Sequence, residues 1–276
     1  MKKFAKTIFL AFSLPFICYT HIAYSDPLTL GVFPYVTSAQ LIQFHSPLKD
    51  YLSKSLGQEV NLVTSPDFPS FIERTQNKEY DIILTAPHFG RLAEKRDGYK
   101  PLIMGGSRVQ GVFLVKKDSA INSLDDLKNK KIMVVQRTAV IYQLAQQTLA
   151  AKGLRNGENI TLIETKTHNN AVYAPLRDEA DAAVGNHTLW QVLVPEYKDQ
   201  LKVIGQTNSV PGVIILTHPN VPSKTQHKIQ EALINFGKTA EGEAYFKTTA
   251  IAGFLPVTAA AMKELDPYIT IFTDKH

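Results

Sequence analysis

The sequence predicts an α/β protein with two lobes, each a mixed sheet flanked by helices, and a ligand cleft between the lobes. Short apolar segments alternate with amphipathic ones along the whole chain, as strands and helices do in such folds. The strand-like segments fall into two groups, and the chain returns to the first group late. We therefore predict one lobe from residues 26–106 and 207–276, and a second lobe from residues 107–206.

The N-terminus has the three parts of a secretory signal. Lys2, Lys3 and Lys6 form a basic region, residues 7–19 are mainly apolar, and the sequence Ala-Tyr-Ser ends at Ser25. The apolar stretch is shorter than the ~20 residues that a membrane-spanning helix needs, so we predict cleavage after Ser25. The alternative is that the segment is retained as an N-terminal anchor.

Removal of residues 1–25 changes the charge and the cysteine count. The segment carries three lysines and no acidic residue, so the formal charge falls from +5 to +2. This small charge gives no reason to expect a nucleic acid or an anionic membrane as a partner. Cys18 is the only cysteine, which leaves the mature chain without a disulfide or a thiolate site. Ile17 before it argues against lipidation, and we expect a soluble, monomeric mature chain.

The first lobe begins with a strand at 28–32, followed by a helix over 38–56. Apolar residues recur every three or four positions along this helix, and Gly57 ends it. Pro47 lies inside it and predicts a kink or a break. The remaining elements predicted here are the strands 60–63, 81–85 and 101–104 and the helices 67–76 and 87–95.

The second lobe follows a glycine-containing crossover at 105–107. Ser123 and Asp126 form a capping-box pattern at the start of a short helix. The other predicted elements of this lobe are the strands 111–116, 131–135, 160–163, 181–184 and 201–205 and the helices 139–152, 169–177 and 188–193. The chain then returns through a strand at 212–217 and helices at 223–238 and 257–265.

Five segments in a fixed order carry a family resemblance. They are residues 30–35 (LGVFPY), 46–57 (SPLKDYLSKSLG), 80–89 (YDIILTAPHF), 117–128 (KDSAINSLDDLK) and 168–183 (HNNAVYAPLRDEADAA). Together they resemble the phosphate-, phosphite- and phosphonate-binding proteins of ABC importers. The resemblance implies the type II periplasmic binding protein fold, a periplasmic location, a small oxyanion as ligand, closure by a hinge and a membrane permease as partner.

The turn after the 131–135 strand departs from the family pattern. Family members place a Ser/Thr-rich, glycine-containing turn there, and its hydroxyl and N–H groups hold the ligand oxygens at a helix N-terminus. Here the turn is Gln-Arg-Thr-Ala-Val, in which Thr138 keeps one hydroxyl. Arg137 either replaces the lost hydroxyls with a charged fork or points into solvent.

Further ligand-binding candidates follow strands or begin helices, and the resemblance points to the same places: Tyr35, His88, Phe89, His168, Asn169 and Asn186. Each has a structural alternative, which is ordinary packing for Tyr35, a surface loop for His88 and Phe89, and helix capping for His168. Residues 185–188 are neutral, which argues against an amino-bearing phosphonate because its ammonium group needs an acidic partner. A carboxylated ligand remains open.

The motifs of other functional classes are missing from the sequence. There is no H-E-x-x-H pattern, no phosphate-loop motif and no G-x-S-x-G elbow, so we expect no metal, no cofactor and no catalysis. Two rivals remain. One is a sensory module of the same fold that signals to a histidine kinase, and the other is a secreted enzyme.

Overall fold

A computed structural model describes residues 26–273, and the predicted signal segment with its cleavage site and Cys18 lies outside them. The described chain forms two mixed sheets. The strands are β1 (Leu28–Val32), β2 (Val60–Thr64), β3 (Ile82–Thr85), β4 (Lys100–Gly105), β5 (Val109–Lys116), β6 (Lys131–Val135), β7 (Thr161–Thr165), β8 (Ala182–Asn186), β9 (Leu201–Val210), β10 (Ile214–Thr217) and β11 (Phe254–Pro256).

The helices pack on the faces of these sheets. They are α1 (Ser38–Leu56), α2 (Phe68–Gln76), α3 (Pro87–Leu92), α4 (Val140–Ala151), α5 (His168–Tyr173), α6 (His187–Gln191), α7 (Pro195–Lys198), α8 (Ser223–Phe236), α9 (Ala240–Thr249), α10 (Ala259–Glu264) and α11 (Thr270–Thr273). None of the helices within residues 26–273 is both long enough and apolar enough to cross a membrane.

The sheets confirm the predicted fold class. The first has the strand order β11-β4-β10-β3-β1-β2, with β1 parallel to β2 and β3, and β10 antiparallel to its neighbours. The second has the order β7-β6-β8-β5-β9, with β6 parallel to β7 and β8, and β5 antiparallel to β8 and β9. In both sheets the parallel strands point their carboxyl ends toward one edge, where ligands bind in open α/β sheets.

The chain passes between the sheets twice. One crossing joins β4 to β5 and the other joins β9 to β10. Because β9 pairs with β5 as far as Val210, the second crossing follows Val210, and the predicted boundary at 206/207 falls within a strand of the second sheet. Gly106 and Gly212 lie in these crossings. A Cβ on Gly106 would lie 2.1 Å from the carbonyl oxygen of Ala252, so the backbone packing there requires glycine.

Some elements differ from the sequence-based predictions. Helix α1 runs unbroken through Pro47, because Thr37 caps its start and its buried leucines hold one face against the sheet. The helix predicted over 87–95 ends at Leu92 and continues as one π-helical turn, 93–97. Helix α9 and strand β11 were not predicted, since residues 240–256 show neither a clear helical nor a strand period.

The two lobes touch each other directly. One apolar cluster extends from Phe33 and Phe89 of the first lobe to Val135 and Val140 of the second. His88 Nε2 lies 2.8 Å from the carbonyl oxygen of Thr138, which is a hydrogen bond across the cleft. The described form is therefore closed.

Candidate ligand-binding site between the lobes

Two cavities lie between the sheets and share part of their walls. We call them the smaller cavity, of about 40 Å³, and the larger cavity, of about 70 Å³. Both are lined by Phe33, Val109, His168, Asn186 and Val213. They therefore form two adjoining parts of one interlobe cleft.

The smaller cavity opens onto the N-terminus of α4. Ala139, Val140 and Ile141 line it, and the N-cap residue Ala139 has no side chain that can accept from the first N–H groups. The first N–H groups of a helix have no intrahelical acceptor and carry partial positive charge. Beside them the hydroxyl of Thr138 is buried without a hydrogen-bond partner in the described chain. These groups suit an oxyanion.

His88 lines the same cavity and is only 1 % exposed. Since the carbonyl of Thr138 can only accept, His88 Nε2 carries the ring proton and Nδ1 is left as an acceptor. Nδ1 has no partner among residues 26–273. Burial lowers the pKa of His88 to about 4, and the bond to Thr138 only partly opposes this shift. A neutral ring with a fixed tautomer therefore faces the cleft.

His168 begins α5 and lines both cavities. The N-cap of α5 is Thr167, whose hydroxyl accepts from the Asn170 N–H, so His168 is not needed as a cap. Its Nδ1 is buried and unpartnered in the part of the chain that the structure describes. Burial lowers the pKa of His168 to about 4, which keeps the ring neutral.

Tyr35 lines the larger cavity and stacks on Phe33, with ring centroids 4.9 Å apart. Its hydroxyl lies 3.0 Å from Nε2 of His45, and Nδ1 of His45 lies 3.0 Å from the hydroxyl of Tyr245. Neither His45 nor Tyr245 was predicted from the sequence as part of the site. His45 occupies the apolar face of α1, where a core residue is expected, and Tyr245 lies 200 positions away.

Asn186 caps α6 at the end of β8 and lines both cavities. Its Oδ1 accepts from the N–H and from the hydroxyl of Thr188, at 2.9 and 2.6 Å. The Nδ2 amide group is thereby left to donate. Thr188 also lines the larger cavity and was not predicted.

The remaining candidates have other surroundings. Phe89 lines the smaller cavity and packs edge-on against Phe68, with centroids 5.5 Å apart, so it forms the apolar wall. Asn169 follows His168 in α5 and is half-buried, outside the lining of the two cavities.

Arg137 is turned away from the cleft. Its side chain is 75 % exposed and forms a forked ion pair with Glu164, with Nε and Nη2 at 2.9 and 2.7 Å from Oε1. Glu164 lies on β7, which pairs with β6 just before the turn. Of the two alternatives for Arg137, the structure favours the solvent-facing one, because a carboxylate on the neighbouring strand already holds the guanidinium group.

Charge is scarce in the cleft. Arg108 lines the larger cavity, but its guanidinium donates to Ser209 and pairs with Glu264. None of the described residues that line the two cavities is acidic. Within residues 26–273 no three His, Cys, Asp or Glu side chains form a group that could hold a metal ion.

Comparison with known proteins identifies the family. Residues 30–262 match the model of the periplasmic substrate-binding proteins of phosphonate ABC transporters. This chain belongs to that family. It is 25 % identical over 259 residues to the phosphonates-binding periplasmic protein of Escherichia coli K12, covering 87 % of this chain and 74 % of that protein.

Two solved structures are similar to this family member over most of its length. One is a binding protein component of an ABC phosphonate transporter from Pseudomonas aeruginosa, with a TM-score of 0.80, 18 % identity and coverage of 90 % and 86 % of the two chains. The other is a protein of Prochlorococcus marinus in complex with methylphosphonate, with a TM-score of 0.80, 15 % identity and coverage of 90 % and 98 %. They confirm the predicted type II fold.

The family sets the functional class. Its members are periplasmic substrate-binding components of ABC importers, which take a small ligand and deliver it to a membrane permease. The prediction of a transport protein is thereby confirmed in preference to a sensory module. The relatives are substrate-binding proteins, in agreement with the absence of catalytic motifs from the sequence.

Proposed function

We propose that this protein binds a phosphonate with a short, uncharged substituent in the interlobe cleft. The observation that carries the proposal is the set of buried polar groups without partners that lie in or beside the cleft: Thr138 Oγ1, His88 Nδ1 and His168 Nδ1, next to the open N-terminus of α4. Buried polar groups are normally hydrogen-bonded, so groups left open in a closed cleft await a polar ligand.

The donors define one end of the ligand. Thr138 and the first N–H groups of α4 donate to oxygens, and the helix end attracts negative charge. The Nδ1 lone pair of His88 instead requires a donor on the ligand. A singly protonated phosphonate has both oxyanion oxygens and a P–OH group, whereas a sulfonate or a carboxylate is fully ionised near neutral pH and lacks that donor. This pairing favours a phosphonate over the carboxylated alternative.

The walls of the larger cavity surround the substituent and the phosphonate oxygen nearest to it. Apolar side chains line much of the larger cavity, among them Phe33, Leu84, Val109, Leu189 and Ile251. An ammonium group there would lose its hydration without gaining a carboxylate partner, which is costly. We therefore infer that an alkyl substituent binds more tightly than an aminoalkyl one.

The proposal also covers the export of the protein and its oligomeric state. We propose that the leader is removed after Ser25 and that the mature protein works as a monomer without catalytic activity. The basic and apolar pattern of residues 1–25 supports the cleavage.

Calorimetry on the exported protein tests the ligand class. We expect saturable 1:1 binding of methylphosphonate and ethylphosphonate, and at least tenfold weaker binding of methanesulfonate, acetate and 2-aminoethylphosphonate. Absence of binding by both alkylphosphonates would refute the function. Equal binding of 2-aminoethylphosphonate would refute the uncharged substituent alone.

An isosteric variant sharpens this test. Asn186→Asp keeps a side-chain oxygen that can cap α6 and places a negative charge at the cleft. It should weaken methylphosphonate binding and strengthen 2-aminoethylphosphonate binding. Asn170→Asp, on the exposed side of α5, is the matched control and should change neither affinity.

A further inference from the structure

A hydrogen-bonded chain of three side chains leads from the core of the first lobe to the larger cavity. Tyr245 of α9 is 2 % exposed and His45 of α1 is fully buried, whereas Tyr35 is half-buried. Tyr35 and His45 both line the cavity. The two contacts, Tyr245 Oη to His45 Nδ1 and His45 Nε2 to Tyr35 Oη, are each 3.0 Å long.

The hydrogen bond between Tyr245 and His45 determines which groups donate and which accept along the three side chains. His45 is neutral, because burial lowers its pKa to about 4, so one ring nitrogen donates and the other accepts. His45 Nδ1 is the partner of the Tyr245 hydroxyl within residues 26–273. If Nδ1 carried the proton, the Tyr245 O–H would be a buried donor without an acceptor, which costs more than a lone pair left unused. Tyr245 therefore donates to Nδ1, and the ring proton lies on Nε2.

The role of the Tyr35 hydroxyl follows from the position of the His45 ring proton. Nε2–H donates to the oxygen of Tyr35, so the hydroxyl proton of Tyr35 cannot point back to His45. We propose that His45 and Tyr245 are positioning residues that hold the Tyr35 hydroxyl as a hydrogen-bond donor to an oxygen of the ligand. The inference rests on the proposed oxyanion ligand, and it extends the site by two residues that do not touch the ligand oxygen.

The chain also accounts for a polar residue in an apolar position. His45 lies on the same face of α1 as Leu41, Leu48 and Leu52, where an aliphatic side chain would pack without needing partners. A buried histidine that bonds to two hydroxyl groups holds each hydroxyl in one orientation, because a fully hydrogen-bonded buried network is rigid. A donor oriented before the ligand arrives loses less freedom on binding.

A double-mutant cycle measured by calorimetry with methylphosphonate tests the inference. Tyr35→Phe removes the donor and should weaken binding about tenfold to a hundredfold, as expected for a hydrogen bond to a charged group. Tyr245→Phe removes the group that fixes the tautomer, and it should weaken binding about threefold to tenfold. In the Tyr35→Phe background, Tyr245→Phe should change the affinity less than about twofold, since coupled residues are not additive.

Tyr99→Phe is the matched control. Tyr99 is also a buried tyrosine of the first lobe, and its hydroxyl donates to the carbonyl of Tyr80 at 2.8 Å, outside the chain of three. It should lose stability without losing affinity. If Tyr245→Phe and Tyr99→Phe bind methylphosphonate as tightly as the parent, or if Tyr245→Phe costs the same in both backgrounds, the inference is wrong.

A second measurement needs no ligand. Nitrogen-15 NMR of ring-labelled histidine, with His45→Gln to assign the signal, should show His45 protonated at Nε2 and bare at Nδ1. The opposite tautomer would overturn the inference even if phosphonate binds. Failure of the parent to bind any phosphonate, with the Nε2–H tautomer present, would instead refute the proposed function and leave the orientation of Tyr35 confirmed.

Discussion

At the scale of single residues, the cleft gathers four side chains from strand ends and helix starts and excludes a fifth. Tyr35, His88, His168 and Asn186 all lie at strand ends or helix starts, and the closed cleft brings them together. Arg137 stands in the same kind of position, but Glu164 of the neighbouring strand holds its side chain outside the cleft. Sequence order gives no sign of that pairing, since it depends on the register of two strands.

Thr138→Val tests the anion end of the site. The hydroxyl is buried and unpartnered among the described residues, so its loss should leave stability unchanged or slightly higher. Losing a hydrogen bond to an anion costs about 1.5–3 kcal/mol of binding free energy. We therefore expect calorimetry to show methylphosphonate binding that is about tenfold to a hundredfold weaker. Thr217→Val removes another buried, unpartnered hydroxyl, on β10, and should not change affinity. Equal affinities of parent and Thr138→Val would remove Thr138 from the site.

Arg137→Ala separates the two interpretations of the turn. If the guanidinium group gripped the anion, binding would fall about tenfold or more. Because Arg137 is exposed and paired with Glu164, we expect a change of less than about threefold in the dissociation constant measured by calorimetry. A tenfold loss would show that the ion pair opens and that Arg137 turns toward the ligand.

At the scale of elements, the regular strands and helices were predictable because their apolar residues repeat with a clear period. The period also predicted α1 correctly, although the kink or break expected at Pro47 does not interrupt the helix. The two crossings between the sheets were harder to predict from the sequence. Their geometry comes from contacts between distant segments: the Gly106 N–H donates to the carbonyl of Gly253 at 2.9 Å, and the Ser107 hydroxyl donates to the carbonyl of Ala250 at 2.7 Å.

Gly212→Ala tests the packing of the crossings. A Cβ there would lie 2.3 Å from the carbonyl oxygen of Ser107 and 2.4 Å from that of Gly105, so the two crossings must separate. We expect a loss of about 1–3 kcal/mol in the free energy of unfolding measured with urea, as for overpacked sites. In the control Gly237→Ala the nearest atom is a ring carbon of Phe246 at 3.3 Å, and the loss should be smaller. Equal losses would contradict the tight backbone contact.

At the scale of the whole molecule, the two lobes meet over a mainly apolar interface that contains few charges. His88 and His168 lie buried and neutral at this interface, and the sequence could not show this because their burial depends on the contact between the lobes. His45, His88 and His168 all have a pKa lowered to about 4 by burial, from an ordinary value of 6.5. Lowering the pH should therefore destabilise the folded protein through all three groups.

The pH dependence of stability follows from these three groups. Between about pH 6.5 and 4 the unfolded chain binds protons that the folded chain does not, so the free energy of unfolding should fall as the pH is lowered through this window. Urea denaturation at pH 7, 5.5 and 4 measures it. His168→Asn should reduce the slope, whereas the exposed-site control His227→Asn should not. A flat profile in the parent would contradict the neutral, buried state.

We expect the two lobes to close around a phosphonate held between them. His88 and Thr138 join across the cleft in the closed form, and that contact must open to admit a ligand. Small-angle X-ray scattering of the exported protein with and without saturating methylphosphonate tests the claim most directly. We predict a smaller radius of gyration with the ligand, and no change in the Thr138→Val variant at a concentration that saturates only the parent. An unchanged radius for the parent, with calorimetry showing the site filled, would contradict closure around the ligand.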